Sequence, residues 1–377
     1  MKTVAVAGVG MSKFGRFPGK DYRDLGYEAV TRALGDADIR WKDIGAIFCA
    51  NAHAGLGVGH NIAAQIGKTG IPIVNVENAC SGGASAFRLC YQSIAAGLYD
   101  ICLAIGVEIT PRGLLNDTSW PEYERDMGFN VQPANYALEI QKHMETYGST
   151  VEQFAMVTVK NRRNGVFNPY AGFQKEVSLQ EVLNSRMIAT PMRLLMCCAT
   201  GDGAAAIILS NTARLKAKSR KVIVAASVLT SQTYGNKKGA GSVRIQNPDR
   251  TEIAAQQAYE MAGCGPQDMD VVEVYDTMSS AELTSAEKLG LCEKGTYGPL
   301  LEKGTFDLGG RLPVNTSGGL MSRRHPLSAT GLAQIAEIVW QLRQEAKSRQ
   351  VPNARIGMAH CMGAPGNCAI TILKKDG

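Results

Sequence analysis

The chain has no apolar run approaching the roughly 20 residues a helix needs to cross a bilayer, which argues against a membrane-spanning protein. No Cys-x-x-Cys pair occurs among its ten cysteines, so the spacing of a structural zinc site is missing. Those cysteines are irregularly placed and no secretory leader precedes them. Both features speak against a disulfide framework and for reduced thiols in the cytoplasm. Residues 1–8 enter a strand pattern directly, without the charged and apolar regions of a signal peptide. The last residues, Lys374-Lys375-Asp376-Gly377, do not spell a peroxisomal Ser-Lys-Leu address. A formal net charge of +6 is modest, and no basic run is interleaved with aromatics, so nucleic acid is not an expected partner. Gly8-Val9-Gly10 lacks the third glycine and the acidic strand end of a dinucleotide fingerprint.

What is present is enough apolar residue, 45% of 377, to bury a large core, and a pattern that occurs twice. A helix pattern at residues 26–34 leads into a strand pattern at 39–47, and residues 254–262 lead into 265–274 in the same way. The opening strand has a partner at residues 222–228, and Asn78 has one in Asn315. Two similar α/β halves are expected, residues 1–215 and 216–377, joined near 211–221. Strand and helix alternate in each, so a mixed or largely parallel sheet with buried helices should form. Residues 111–190, with Trp120, several tyrosines and Arg162-Arg163, fit neither repeat.

Three blocks carry chemistry. In Val76-Glu77-Asn78-Ala79-Cys80-Ser81-Gly82-Gly83-Ala84 a strand delivers Cys80 to a turn, and small residues open a helix. A thiol there feels the positive end of the helix dipole, which is expected to lower its pKa. A small buried core cysteine is the plainer reading of this block taken alone. Residues 312–331 again run strand, glycine turn, helix, with His325 before a proline suited to the first helical turn. Residues 358–369 place His360 and Cys361 before a glycine-rich turn. A cysteine nucleophile, a histidine base and a second proton carrier are what acyl transfer at carbon requires.

These blocks resemble those of the thiolase superfamily, nearest the sterol-carrier-protein-X and archaeal branch. Residues 312–331 are similar to its "LPVNPSGG…GHPxGATG" signature, residues 196–206 to its "DGAAA" segment, and residues 105–108 to its "G-x-E" strand end. The resemblance covers essentially the whole chain in the expected order. It implies the thiolase fold, two βαβ-type halves forming a five-layered α/β/α/β/α core, with 111–190 as an insertion covering the active site. It implies Cys80 as nucleophile, His325 as base, and amides near Cys80 and Gly363 as an oxyanion hole. Cys361 stands where many thiolases carry their second cysteine, and His360 where the sterol-carrier branch has a histidine. Adjacent strand residues face opposite ways, so one of the two is expected in the pocket, with Cys361 preferred. Ser317, Gly318 and Ser328 are candidate substrate or coenzyme A contacts. Coenzyme A enters as co-substrate, with no metal and no covalently bound cofactor. A homodimeric core and a small zinc-containing OB-fold partner subunit are also implied. Thiolases of anaerobic toluene degradation suggest a substrate, 2-benzoylsuccinyl-CoA cleaved to benzoyl-CoA and succinyl-CoA.

The departures are specific. Where many thiolases read Asn-Glu-Ala-Phe and the sterol-carrier branch His-Asp-Cys-Phe, this chain reads Tyr275-Asp276-Thr277-Met278. Tyr275 is reminiscent of thiolase-like retro-aldolases, which keeps that activity open beside thiolysis and beside a non-catalytic subunit. Asp276 would be a helix cap or orienter. Ser328 replaces the glycine after His-Pro-x, and Arg323-Arg324 replaces Lys-Gly or similar. His53 and His60 are expected near a dimer interface, His143 on the surface, and Cys197 and Cys198 in the core or lining the site.

Overall fold

A computed structural model describes residues 1–113, 121–128, 130–215, 221–232, 249–364 and 366–376. Trp120 and residues 216–220 of the expected junction lie outside the described residues. The first half runs β1 (Val4–Met11), α1 (Tyr22–Ala37), β2 (Ala46–Ala50), α2 (Val58–Ile66), β3 (Ile73–Val76), α3 (Gly82–Ala95) and β4 (Ile101–Glu108). An excursion follows: α4 (Glu122–Asp126), α5 (Gln132–Tyr147), α6 (Val151–Gly165), α7 (Leu179–Asn184) and a small hairpin, β5 (Met187–Ala189) with β6 (Met192–Arg193). The chain then returns to the sheet as β7 (Gly203–Asn211). The second half runs β8 (Val222–Thr230), α8 (Arg250–Ala262), β9 (Val271–Glu273), α9 (Ser279–Lys288), α10 (Tyr297–Glu302), α11 (Gly319–Arg323), α12 (Leu327–Leu342), β10 (Ile356–Gly363) and β11 (Asn367–Lys375).

The strands align in the order β3-β2-β4-β7-β1-β8-β11-β10-β9. β2 is parallel to β3 and β4, and β7 runs antiparallel to β4 and β1. The second half repeats this plan: β9 is parallel to β10, and β11 is antiparallel to β10 and β8. Its third strand is reduced to one parallel bridge, Val314 to Val272. The halves join where β1 pairs antiparallel with β8 through Ala5↔Ile223 and Val6↔Val222.

Side-chain alternation sorts the core into layers. On β7, Ala205, Ile207 and Leu209 face a central core with Phe87 and Ile94 of α3 and Leu332, Ile335 and Val339 of α12. Ala204, Ala206 and Ile208 face the opposite way, onto α1 and α2. In the second half Ile370 and Ile372 of β11 face the outer layer of α8 and α9. Helices α3 and α12 thus lie between the half-sheets. α12 is buried on every side except at Trp340, which explains a sequence apolar all round rather than along one stripe. A Cβ at Gly8 or Gly10 would come within 2.4 or 2.2 Å of a carbonyl of α1, so these glycines exist for helix-on-strand packing.

The excursion belongs to the first half in sequence yet packs on the second. α6 lies against α9, α10 and α11, and Phe154, Ala155 and Val157 share a core with Leu283 and Tyr297. His143, expected on the surface, is buried on this seam with Nε2 2.9 Å from Glu287 Oε2. The polar look of α5 had hidden one inward face.

Candidate active site

Cys80 ends the turn between β3 and α3, and the residue before it, Ala79, holds φ at +46°. Asn78 fixes that turn: its Nδ2 donates to Ser85 Oγ at 2.9 Å, and its Oδ1 accepts from Asn367 Nδ2 at 3.1 Å, tying the turn to the β10–β11 hairpin. Gly363 must be glycine, because a Cβ there would meet Ser81 Oγ at 2.5 Å and the Asn78 carbonyl at 2.6 Å. Glu108, fully buried at the end of β4, accepts from the amides of Ala52 and His53 and from Ser328 Oγ at 3.1 Å. The G-x-E strand end therefore anchors the 51–55 loop and the start of α12.

His325 enters from the far half. Its Nε2 lies 3.2 Å from Cys80 Sγ, its Nδ1 2.8 Å from Thr330 Oγ1. The Thr330 hydroxyl donates its one proton to the Pro326 carbonyl at 3.1 Å, so Nδ1 carries the ring hydrogen and Nε2 faces Cys80 with a free lone pair. Burial, helped by the Arg323 guanidinium, pulls the imidazole down to about 3, so the ring is neutral. The thiol moves the other way from its expected direction. Burial pushes Cys80 up to about 11, although the Tyr275 hydroxyl and the amides of Cys80 and Ala364 pull it down. Desolvation thus outweighs the helix end, and the resting pair is neutral thiol and neutral imidazole. The amides near the sulfur belong to Cys80 and Ala364, with Gly363 serving to bring the hairpin close.

Tyr275, buried at the end of β9, places its hydroxyl 3.1 Å from His325 Nε2, edge-on to the ring. Cys361 Sγ sits 3.2 Å from the Cys80 carbonyl, and burial with Cys80 close by keeps its thiol well up. His360 points to the other face of β10, where the nearest charges are Asp249, Arg250 and Lys288 and burial lowers it to about 3. Its Nδ1 accepts from the Tyr275 amide at 3.5 Å. Ser317 and Gly318 are fully buried, Ser317 donating to Glu273 Oε2 at 2.6 Å, and Ser328 is held by Glu108. Cys198 joins Leu229 and Met362 around Cys80, Tyr275, Leu320 and Cys361.

Sequence reasoning missed a buried network that holds Tyr275 and His325 in register. Asp276 accepts from the amides of Leu320 and Met321, capping α11 one turn before His325, and from Asn161 Nδ2 at 2.8 Å. Asn161 also reaches Glu282, which accepts from Asn315 and pairs with Lys160 at 3.0 Å. Burial and Glu282 raise Asp276 to about 7. No spacing rule links Asn161, Asp276 and Asn315; Thr330, within the His325 helix, was on view in the signature. Arg324, just before His325, adopts φ +77° and ψ 177°, a region open almost only to glycine. Its guanidinium stacks 4.1 Å over Phe173, with Arg162 4.3 Å from the same ring.

Among the described residues no cluster of metal ligands occurs, and no helix is long and apolar enough to cross a membrane. A solved structure titled "Ltp2-ChsH2(DUF35) aldolase" superposes with a TM-score of 0.85 at 23% identity, covering 99% of this chain and 98% of that one; the likeness is one of fold. The acetyl-CoA acetyltransferase of Methanothermobacter thermautotrophicus is 41% identical over 98% of both chains. Bovine (Bos taurus) sterol carrier protein 2 is 38% identical over 98% of this chain and 72% of its own. Benzoylsuccinyl-CoA thiolase subunit BbsB of Thauera aromatica is 38% identical over 97% of this chain and 96% of its own. The family profile for the thiolase N-terminal domain matches residues 4–213, and that for a thiolase C-terminal-like domain matches 245–375. A cysteine and a histidine drawn together from two repeated halves, and sequence likeness running along both, make this chain a member of the thiolase family, acyltransferases that use coenzyme A as a substrate.

Proposed function

We propose that this protein cleaves a branched or aromatic 3-oxoacyl-CoA with coenzyme A, through an acyl-thioester on Cys80. The observation that carries the reading is the 3.2 Å contact of Cys80 Sγ with His325 Nε2, with Cys361 Sγ 3.2 Å from the Cys80 carbonyl. Because both partners rest neutral, the proton passes from sulfur to Nε2 as sulfur attacks the keto carbon. The amides of Cys80 and Ala364 receive the resulting oxyanion, a contribution of about 3 kcal/mol per donor in such sites. The carbon–carbon bond then breaks, and Cys361 protonates the departing enolate. Tyr275, where many thiolases hold a water through asparagine, donates directly to the thioester oxygen. The thiol of coenzyme A gives its proton to the Cys361 thiolate and attacks the acyl-enzyme, and His325 Nε2 returns its proton to the departing Cys80 sulfur, which restores both cysteines and the neutral imidazole.

The likeness to the Thauera subunit supports 2-benzoylsuccinyl-CoA as the substrate, yielding benzoyl-CoA and succinyl-CoA. Two partners are part of the reading. A second copy would pair along β3, an edge strand with Val74 exposed, and a small zinc-bearing OB-fold subunit would help hold the acyl-CoA. Residues 111–190 would cover the site.

Intact-protein mass spectrometry after brief exposure to a panel of 3-oxoacyl-CoAs, with the partner subunit present, tests this. An acyl adduct on Cys80 is expected, formed with aromatic or branched substrates and absent in Cys80→Ser. One observation favours a second reading: the Tyr275 hydroxyl 3.1 Å from His325 suits retro-aldol cleavage without a covalent intermediate. Turnover that survives Cys80→Ser but is lost in Tyr275→Phe would select it. A non-catalytic role is disfavoured by the assembled Cys80, His325 and Cys361.

A further inference from the structure

Two buried carboxylates share one amide beside α11. Asn161 Nδ2 donates to Asp276 Oδ2 at 2.8 Å and to Glu282 Oε2 at 2.7 Å, and both acids are fully buried. Like charges held this close in a dry site hinder each other's ionisation, and the acid with the poorer set of donors takes the proton. Glu282 is the better served. Beyond Asn161 it meets Lys160 Nζ at 3.0 Å and accepts from the Tyr297 hydroxyl and Asn315 Nδ2, both at 2.6 Å. Asp276 accepts only from uncharged donors: Asn161 and the amides of Leu320 at 2.7 Å and Met321 at 3.3 Å. The other titratable groups facing it are Arg323 of α11, which favours its charge, and Tyr297 of α10 and Cys198, whose hydrogens burial holds in place. The balance lies at about 7.

Protonation changes what this carboxyl can do. All three of its hydrogen bonds are received, so a hydrogen on either oxygen meets a donor already pointing there. On Oδ1 it opposes the Leu320 amide, on Oδ2 the Met321 amide and Asn161, and α11 loses part of its cap either way. α11 ends two residues before His325, and its Leu320 side chain packs with Tyr275 and Cys361 against Cys80. The reacting pair has no titration of its own near neutrality. Cys80 lies at about 11 and His325 at about 3, and a proton passed between them leaves their total unchanged. We infer that Asp276 is a positioning residue that gates the reaction by its charge: the carboxylate holds α11 and His325 in place, and the carboxylic acid releases them. This rests on the Cys80 thiolase reading and adds to it a proton switch outside the reacting pair.

The test compares wild type, Asp276→Asn and Glu282→Gln from about pH 5.5 to 8.5, with acetoacetyl-CoA and 2-benzoylsuccinyl-CoA as probes. The readouts are kcat, KM and the rate at which an acyl adduct forms on Cys80. In wild type kcat and the adduct rate should fall about 5- to 10-fold between pH 7.5 and pH 6, with KM nearly constant. Asp276→Asn, uncharged at every pH, should be slow throughout and lose that limb. Titration of the substrate's own phosphates is common to all three proteins and cancels in the comparison. Glu282→Gln removes the neighbouring charge, so its limb should move down by about one pH unit, whatever happens to the plateau. A flat wild-type profile overturns the inference. So does a limb that persists in Asp276→Asn or stays in place in Glu282→Gln, either of which would leave Asp276 as a fixed cap. A limb that behaves as expected without any adduct on Cys80 would retain the gate and overturn the thiolase reading instead.

Discussion

In the proposed reaction His325 serves as the base, which requires that Nε2 keep its lone pair, and a single hydroxyl secures that. In Thr330→Val the Nδ1 hydrogen loses its acceptor, and a typical net hydrogen bond of about 1–1.5 kcal/mol corresponds to a fall in kcat of about 5- to 10-fold. Steady-state kinetics should show it with KM nearly unchanged, since Thr330 touches the ring rather than the substrate. Arg324 offers a second test at this scale. Glycine normally costs about 0.5–1 kcal/mol relative to alanine, but at φ +77° that order should reverse. Arg324→Gly is expected to be more stable than Arg324→Ala by about 1–2 kcal/mol in urea denaturation, because the comparison cancels the lost stacking on Phe173 and leaves the backbone strain. The side-chain types at the site were legible in the blocks around Cys80, His325 and Cys361. The direction of the Cys80 shift was not, because the helix end is a local cue whereas the side chains packed around the thiol include Tyr275, Leu320 and Cys361, each more than 190 residues away.

Among elements, α11 is five residues long and depends on what caps it. Asp276 supplies the cap from the end of β9, and Gly319 has no Cβ because one would lie 2.1 Å from Asp276 Oδ2. Asp276→Ala would leave the Leu320 and Met321 amides without acceptors and Asn161 Nδ2 with Glu282 alone. The expected cost is about 2–4 kcal/mol in denaturant unfolding, with a loss of kcat as α11 lets His325 drift from Cys80. Unchanged kcat in a folded variant would show that α12 alone positions the histidine. The strand–turn–helix units on which Cys80 and His325 sit could be read from alternation and glycines. The packing of α6 onto the second half could not, since Asn161, Asn164 and Asn168 make their contacts with Asp276, Asn315 and Ser317 across more than 100 residues.

For the molecule as a whole, buried neutral histidines couple stability to pH. His360 titrates near 3 when folded and near 6.5 when unfolded. Below about pH 6.5 the unfolded chain holds a proton the folded chain lacks, so this group's contribution falls by about 1.4 kcal/mol per pH unit until about pH 3. The difference in unfolding free energy between wild type and His360→Gln should shift toward the variant by roughly that amount from pH 6 to pH 5, measured by urea denaturation at each pH. The two-half plan was readable from the repeated helix–strand spacing, whereas the union of the halves into one sheet rests on two residue pairs that no local pattern marks. That union has a topological consequence. β1 and β11 flank β8, with Val6 and Lys375 both opposite Val222, so β11 ends level with the start of β1, two strand spacings or about 10 Å away. A few glycines could bridge residues 376 and 3, and the chain could then be opened at 216–220 to give a circular permutant with the halves in reverse order. The turns that carry Cys80 and His325 lie far from either cut, and the same nine-stranded sheet should reassemble around them.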